Sequence, residues 1–221
     1  MAHRLVATLI VTSLLAALAA GCGTASTSTS TTTSQTAAAT AAAAPTPAAT
    51  TSSAATVPPG FARYQAKGFS FLAPAGLKPA PDGGIAGLPP GASAATLTPG
   101  GKRFTRSHTQ IIEATNPRLR TDVNLDQVAT SLQSADASDP SLKNVKTNVS
   151  TMTVDGAEQV RVVTESYNGP NGPHARTNFH RTWLMVMPRP GLLLDLVVVN
   201  EPQHGGNLNP DTVLNSFRIE S

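Results

Sequence analysis

Four ionisable residues could form a binding site on a predicted β-sheet. Arg161, Glu165, Arg181 and Asp195 occupy three segments that alternation and apolar character mark as neighbouring strands, and all four fall at odd-numbered positions. Because alternate residues of a strand share one face, they could form a polar cluster that binds a polar head group. The alternative, which we favour, is a set of cross-strand ion pairs worth about 0.2–1 kcal/mol each. Asp195 lies in an otherwise apolar segment, so its carboxylate needs a partner.

A basic segment is the second candidate for binding. Residues 63–120 contain eight Lys and Arg against two acids, whereas residues 121–221 contain seven against eleven. The basic side chains concentrate around Lys102, Arg103 and Arg106. In a membrane-anchored protein, such a loop could contact anionic head groups or phosphorylated glycolipids. The alternative is a solvated loop whose charge balances the acidic half of the chain.

Motifs for catalysis are missing from the sequence. Four histidines follow His3, and no two of them have a metal-ligand spacing: His108, His174, His180 and His204. The sequence contains no G-x-S-x-G motif, and Gly-Gly-Lys at 100–102 lacks the other residues of a phosphate-binding loop. We predict no metal site, no cofactor and no enzymatic activity. A hydrolase built from scattered Ser, His and Asp is the least favoured hypothesis.

The N-terminus has the features of an exported lipoprotein. Arg4 precedes an apolar run over residues 5–18, which is shorter than the ~20 residues that span a bilayer. Ala-Ala-Gly-Cys at 19–22 resembles the lipobox of bacterial lipoproteins, in which the cysteine thiol receives diacylglycerol. Cys22 is the only cysteine, so no disulfide can use it, which favours acylation. The alternative is an ordinary secretory signal that leaves Cys22 as a free thiol.

Composition divides the 221 residues into three parts. Only 13% are charged, about half the usual share, and no Asp, Glu, Lys or Arg occurs between Arg4 and Arg63. Residues 1–21 are predicted to be a signal peptide, 22–59 a disordered tether rich in Ala, Ser, Thr and Pro, and 60–221 one globular domain. Export argues against nucleic acid as a partner despite a pI of about 9.4, and we predict none.

Hydrophobic periodicity predicts an α+β fold in which helices pack on a mainly antiparallel sheet. The sequence favours a long loop over residues 74–101, which could contain a hairpin, and a tight hairpin turn at Asp155-Gly156. Residues 192–200 form an almost continuous apolar run, which indicates a central strand covered on both faces. The predicted strands are 69–73, 109–115, 145–154, 157–167, 177–187 and 192–200.

Two helices complete the predicted fold. Asn124 and Gln127 have the spacing of a capping box, which places a helix from residue 125 to about 138. Asn209 or Asn207 caps a C-terminal helix that begins near Pro210. We expect this second helix to cover Trp183, the only tryptophan, through Leu214 and Phe217.

Two short motifs resemble a known family. Gly-Phe-Ser-Phe-x-x-Pro-x-Gly at 68–76 is similar to the start of PsbP-like domains, and Pro-Asp-Thr-Val-Leu-Asn-Ser-Phe-Arg-Ile at 210–219 is similar to their closing helix. With the lipobox and tether in front, the chain resembles the LpqN-type lipoproteins of actinobacteria over about residues 61–221. The resemblance implies an α/β/α sandwich with an accessory, largely non-enzymatic role. No family catalytic residues carry over.

The leading hypothesis is therefore a lipid-anchored protein on the outer face of the cell membrane. Its domain would act by binding an envelope protein or a glycolipid. The alternative is a carrier that holds a lipid or glycolipid between sheet and helices. A cavity of several hundred Å³ lined by Leu, Val and Met would favour the carrier, whereas a filled sandwich would favour the interaction module.

Overall fold

Two antiparallel sheets and two helices make up the part of the chain that the structure describes. The computed structural model describes residues 57–81, 88, 90–102, 109–170, 176–206 and 208–220. The strands are β1 Phe61–Ala66, β2 Phe69–Pro74, β3 Leu77–Pro79, β4 Ser93–Pro99, β5 Thr109–Asn116, β6 Lys143–Ser150, β7 Gln159–Pro170, β8 Arg176–Arg189, β9 Leu192–Asn200 and β10 Arg218–Ile219. The helices are α1 Leu125–Ser138 and α2 Pro210–Leu214, with a 3₁₀ turn at Pro202–His204.

Several predicted features lie outside the described residues. These are Cys22, the signal peptide, the tether up to residue 56, Arg103 and Arg106. Within the described ranges, no helix combines the length and apolar character needed to cross a membrane.

The larger sheet has seven strands in the order β3-β4-β5-β9-β8-β7-β6, and the smaller has three in the order β1-β2-β10. Every pairing between described strands is antiparallel. The α+β prediction with a mainly antiparallel sheet is thus confirmed. β9 is the middle strand of the larger sheet and is buried along almost its whole length, as its apolar run predicts.

The small sheet and α2 pack on one face of the larger sheet. Their shared core contains even-numbered residues of β7, β8 and β9, including Leu184, Leu196 and Val198. Phe69 of β2 and Phe217 just after α2 stack in this core with ring centroids 4.8 Å apart. Most of this layer is therefore β-structure, with a helix of five residues beside it.

α1 packs on the opposite face of the larger sheet. Leu125, Val128 and Leu132 of the helix share a core with Trp183 and Val197. Asn124 and Gln127 form the predicted capping box: the Gln127 backbone N–H donates to Asn124 Oδ1 at 2.9 Å, and the Asn124 N–H donates to Gln127 Oε1 at 3.3 Å. The capping-box prediction is confirmed.

The predicted position of Trp183 is wrong. Trp183 lies under α1, whereas Leu214 and Phe217 belong to the core on the other face. Successive residues of a strand point to opposite faces, so odd-numbered Trp183 cannot share a face with Leu184 and its even-numbered neighbours. The sequence showed that strands and helices have apolar faces, but not which helix packs on which face of the sheet.

Residues 74–101 contain β3 and β4, which pair antiparallel as the hairpin alternative expects, so a loop over the whole segment is wrong. Only Leu97 of β4 is large and apolar, and it is fully buried. β1 and β10 were not predicted either.

Asp155-Gly156 forms a turn in which Ala157 N–H donates to Val154 O, with Gly156 at φ +79°. However, β6 already ends at Ser150, so the connection between β6 and β7 is longer than the predicted two-residue hairpin.

We expect the two cores to respond separately to mutation. Phe217→Ala should lower the free energy of unfolding by about 3–5 kcal/mol, because it empties a fully buried ring position. Its folded state should keep the wild-type emission of Trp183. Leu132→Ala, in the other core, should cost about 2–5 kcal/mol and shift that emission to the red. Urea unfolding followed by fluorescence measures both quantities. A red shift in the Phe217 variant alone would contradict the placement.

Candidate functional site

The four predicted cluster residues lie on the same face of the larger sheet, the face that α1 covers. Glu165 of β7 is directly opposite Arg181 of β8. Arg161 is opposite Met185, which in turn is opposite Asp195 of β9. The four residues therefore lie in two rows that run across the strands. Only the row that contains Glu165 and Arg181 brings two of the four side chains into contact.

Arg181 is the centre of a buried ion network. Its Nε donates to Glu165 Oε2 at 2.6 Å, and its Nη2 pairs with Asp136 near the end of α1. Its guanidinium carbon lies 5.2 Å from the ring centroids of both Tyr167 and Trp183. The Arg181 side chain is only 1% exposed, so these contacts replace water completely. This network ties α1 to the sheet, a role that sequence alone did not show because Asp136 was not among the predicted residues.

Arg161 and Asp195 stand apart from this network. Arg161 Nε and Nη2 donate to the two carboxylate oxygens of Asp126 at 2.6 and 2.7 Å, in the first turn of α1. Asp195 Oδ1 is buried and has no hydrogen-bond partner among the described residues. The expectation that Asp195 needs a partner is therefore wrong for this oxygen. Burial raises the pKa of Asp195 to about 7, which favours its neutral form.

Two other buried acids behave in the same way. Burial raises the pKa of Glu113, on the opposite face of β5, to about 7. Burial also raises the pKa of Glu165 to about 8, although the Arg181 guanidinium by itself lowers it. One arginine thus faces two carboxyl groups, Glu165 and Asp136.

Of the three predicted residues of the basic segment, only Lys102 lies among the described residues. Its side chain is exposed, and its carbonyl oxygen accepts a hydrogen bond from Thr98 Oγ1 at 2.6 Å. Within the described ranges, no group of three His, Cys, Asp or Glu side chains is placed to hold a metal ion.

An open groove lies on the other face of the larger sheet, where the small sheet no longer covers it. We call it the sheet groove; its volume is about 560 Å³. Its floor consists of two rows of residues that lie opposite one another on neighbouring strands. One row runs from Asn148 through Thr164 to Thr182, and the other runs from Lys146 through Ser166 and His180 to Asn200.

The segment after β9 forms the wall of the sheet groove. Asn200 holds this segment through two hydrogen bonds: its Nδ2 donates to Leu208 O at 2.6 Å, and Leu208 N–H donates to its Oδ1 at 3.2 Å. Pro202 and Pro210 complete the wall. The floor is therefore rigid β-structure, and the wall is fixed to the central strand.

Sequence reasoning missed the sheet groove, although a signal was present. The even-numbered residues of β7 change from Val160 and Val162 to Thr164, and those of β8 change from Leu184 to Thr182. These changes coincide only when the register is known, because Thr164 lies opposite Thr182. The pattern of a single strand cannot supply that register.

Comparisons with known proteins give structural neighbours only. No protein-family model matches the chain, and no curated protein matches its sequence. The chain is similar to the solution structure of cyanobacterial PsbP (CyanoP) from Synechocystis, with a TM-score of 0.47 and 18% identity over 73% of this chain and 93% of that one. It is also similar to a crystal structure of a protein of unknown function from Pseudomonas aeruginosa, with a TM-score of 0.34 and 13% identity over 65% and 84%. Neither neighbour assigns an activity or a ligand to this chain.

The buried ion network should be far more sensitive to mutation than the exposed pair. Arg181→Gln should lower the free energy of unfolding by about 3–5 kcal/mol, because it breaks the buried ion pair with Asp136 and removes the guanidinium N–H that donates to Glu165. Arg161→Gln is the matched control and should have little effect, since its partner Asp126 is 66% exposed. Chemical denaturation of both variants measures the difference. Equal losses of unfolding free energy in the two variants would show that burial of the Arg181 network is not what stabilises the attachment of α1 to the sheet.

Stability should fall as pH rises through neutrality. The folded state raises the pKa of Asp195 from 3.8 to about 7, so the folded protein binds this proton more tightly than the unfolded chain. The resulting stabilisation is complete below about pH 4 and is lost as pH rises through about 7. Each pKa unit corresponds to about 1.4 kcal/mol. Asp195→Asn should flatten the decline seen in urea titrations between pH 5 and 8, and an unchanged slope would refute this role.

Proposed function

We propose that the protein is a lipoprotein of the cell envelope, anchored through Cys22 to the outer face of the membrane. Its globular domain acts as a non-enzymatic binding module. The tether over residues 22–59 holds this domain away from the lipid surface. The lipobox-like sequence before Cys22 supports the anchor.

The sheet groove is the observation that carries the binding role. Both faces of the larger sheet pack against apolar layers, in which Trp183, Phe69 and Phe217 are almost fully buried. The sheet groove is open: hydroxyl, imidazole and amide side chains line its floor, and Pro202, Leu208 and Pro210 line its wall. A filled sandwich with an open groove favours binding of an external polar partner over storage of an acyl chain. It therefore supports the interaction module rather than the lipid carrier.

The groove also favours binding over hydrolysis. Ser166 lies opposite His180, an arrangement that places a nucleophile beside a base. However, no hydrogen bond joins the two side chains, and within the described ranges no carboxylate is bonded to the His180 ring. A triad would need that third group to orient the imidazole.

We propose further that the domain is a PsbP-like domain of the LpqN type, an α/β/α sandwich in which α1 forms one outer layer and α2 lies beside the small sheet in the other. The two motifs that carry this resemblance come from opposite ends of the domain and lie side by side. β10 pairs with β2, so that Ile219 is opposite Phe69 and Arg218 is opposite Ser70. Leu72 N–H donates to Ser216 Oγ at 2.6 Å. One structural unit thus contains both motifs.

Cys22→Ala should release the protein from membranes, because the variant has no thiol to acylate. Fractionation of cells followed by immunoblotting measures the shift into the soluble or secreted fraction. Ser26→Ala, four residues into the tether, is the matched control and should stay in the membrane fraction. Native mass spectrometry of wild-type protein purified from its own membrane should show the added acyl mass.

Two outcomes would overturn this proposal. A Cys22→Ala variant that stays in the membrane fraction, together with a wild type without acyl mass, would exclude the lipoprotein anchor. A second, non-covalent lipid seen in the same mass spectrum would indicate the carrier function instead of the interaction module.

A further inference from the structure

The floor of the sheet groove holds polar side chains that have no hydrogen-bond partner among the described residues. The hydroxyl groups of Thr164, Ser166 and Thr182, like the His180 ring, make no hydrogen bond to any described residue. Thr182 is 8% exposed, Thr164 and Ser166 are half-buried, and His180 is exposed. A hydroxyl group donates one hydrogen bond and accepts two, so this row matches a ligand that both donates and accepts, as a polyol does.

Charge adds a second requirement on the ligand. Lys146 lies at the β6 end of the floor and forms no ion pair with a described residue. β6 also carries Lys143 and contains no acidic residue. Glu165 is the one acid among the residues that line the sheet groove, and its carboxylate points to the other face, where it binds Arg181. The groove is therefore positive at its β6 end, which favours an anionic group there.

The apolar contacts of the sheet groove agree with such a ligand. Its described lining contains no Phe, Tyr or Trp side chain, so the exposed His180 ring is its one aromatic group. The methyl groups of Thr164 and Thr182 and the rings of Pro202 and Pro210 can contact the C–H groups of a polyol. A volume of about 560 Å³ is sufficient for one or two sugar-sized rings.

We propose that the sheet groove binds a polyol phosphate. The phosphate group contacts Lys146, and the ligand hydroxyls bond to Thr164, Ser166 and Thr182. This inference rests on the proposed role of the domain as a binding module and adds the chemical class of its ligand. The same chemistry occurs in a free sugar phosphate and in the head group of an inositol phospholipid.

Calorimetric titration of the full chain with myo-inositol 1-phosphate tests the site. We expect saturable binding, with myo-inositol and inorganic phosphate each at least tenfold weaker, since each supplies half of the contacts. Lys146→Glu should weaken binding at least tenfold. Lys78→Glu is the matched control: it makes the same charge change on exposed β3, at the opposite edge of the sheet, and should bind like wild type.

A second variant keeps the test independent of net charge. Thr164→Val removes a hydroxyl group at nearly constant volume and should weaken myo-inositol 1-phosphate several-fold while leaving inorganic phosphate unchanged. Equal weakening by Lys146→Glu and Lys78→Glu would reduce the interaction to general electrostatics and overturn the proposal. Absence of binding to both myo-inositol 1-phosphate and phosphatidylinositol would overturn it as well.

Vesicles distinguish the two sources of the ligand. The Lys146→Glu and Lys78→Glu proteins are compared on phosphatidylcholine vesicles that contain either phosphatidylinositol or phosphatidylserine. A difference between the variants that appears only with phosphatidylinositol supports the lipid head group, and binding of the soluble ligand alone supports a free polyol phosphate. If neither binds while Cys22 still anchors the chain, the ligand class fails and the anchored binding module stands.

Discussion

The register of β7, β8 and β9 is the constraint on which the rest of the structure depends. Side chains alternate along each of these strands, so the even-numbered residues face one side of the larger sheet and the odd-numbered residues face the other. β9 lies in the middle and is apolar on both faces, so both faces must be covered. α1 meets this requirement on the odd-numbered face, and the small sheet with α2 meets it on the even-numbered face.

The attachment of α1 combines apolar packing with a few polar contacts. The helix buries Leu125, Val128 and Leu132, and its first and last turns are joined to the sheet by Asp126 and Asp136. The two contacts differ in energy because one is solvated and the other is buried with Arg181. The predicted cluster of four charged residues is thus divided between a surface pair, a buried network and a separate buried acid, Asp195, whose pKa burial raises.

The same register creates the sheet groove. On the even-numbered face, apolar rows that contain Leu184 and Val186 lie under the small sheet, and the next rows towards His180 are polar and uncovered. Covering those rows would bury hydroxyl groups without partners, which costs free energy. An open groove is the consequence of a sheet that is wider than its cover, and it places groups from three strands and one loop within reach of one ligand.

Much of the fold could be predicted from local sequence, because the relevant signals act over a few residues. The capping box of Asn124 and Gln127 defines the start of α1, and the apolar run of β9 marks the central strand. The sequence did not locate β4 within residues 74–101, because Leu97 is its only large apolar residue and its place is set by pairing with β3 and β5. Local propensity is too weak to identify such a strand.

The sequence by itself determined the α+β class and the positions of α1 and β9. It also determined that four charged residues share one face of the sheet: Arg161, Glu165, Arg181 and Asp195. Only the tertiary structure decided that Asp136 completes the Arg181 network and that α1 rather than α2 covers Trp183. It also decided that Lys146, Ser166 and His180 share one row. These contacts join residues far apart in the chain, and strand register sets them. Register depends on the packing of all the strands together, because shifting one strand by a single residue would move its side chains to the other face.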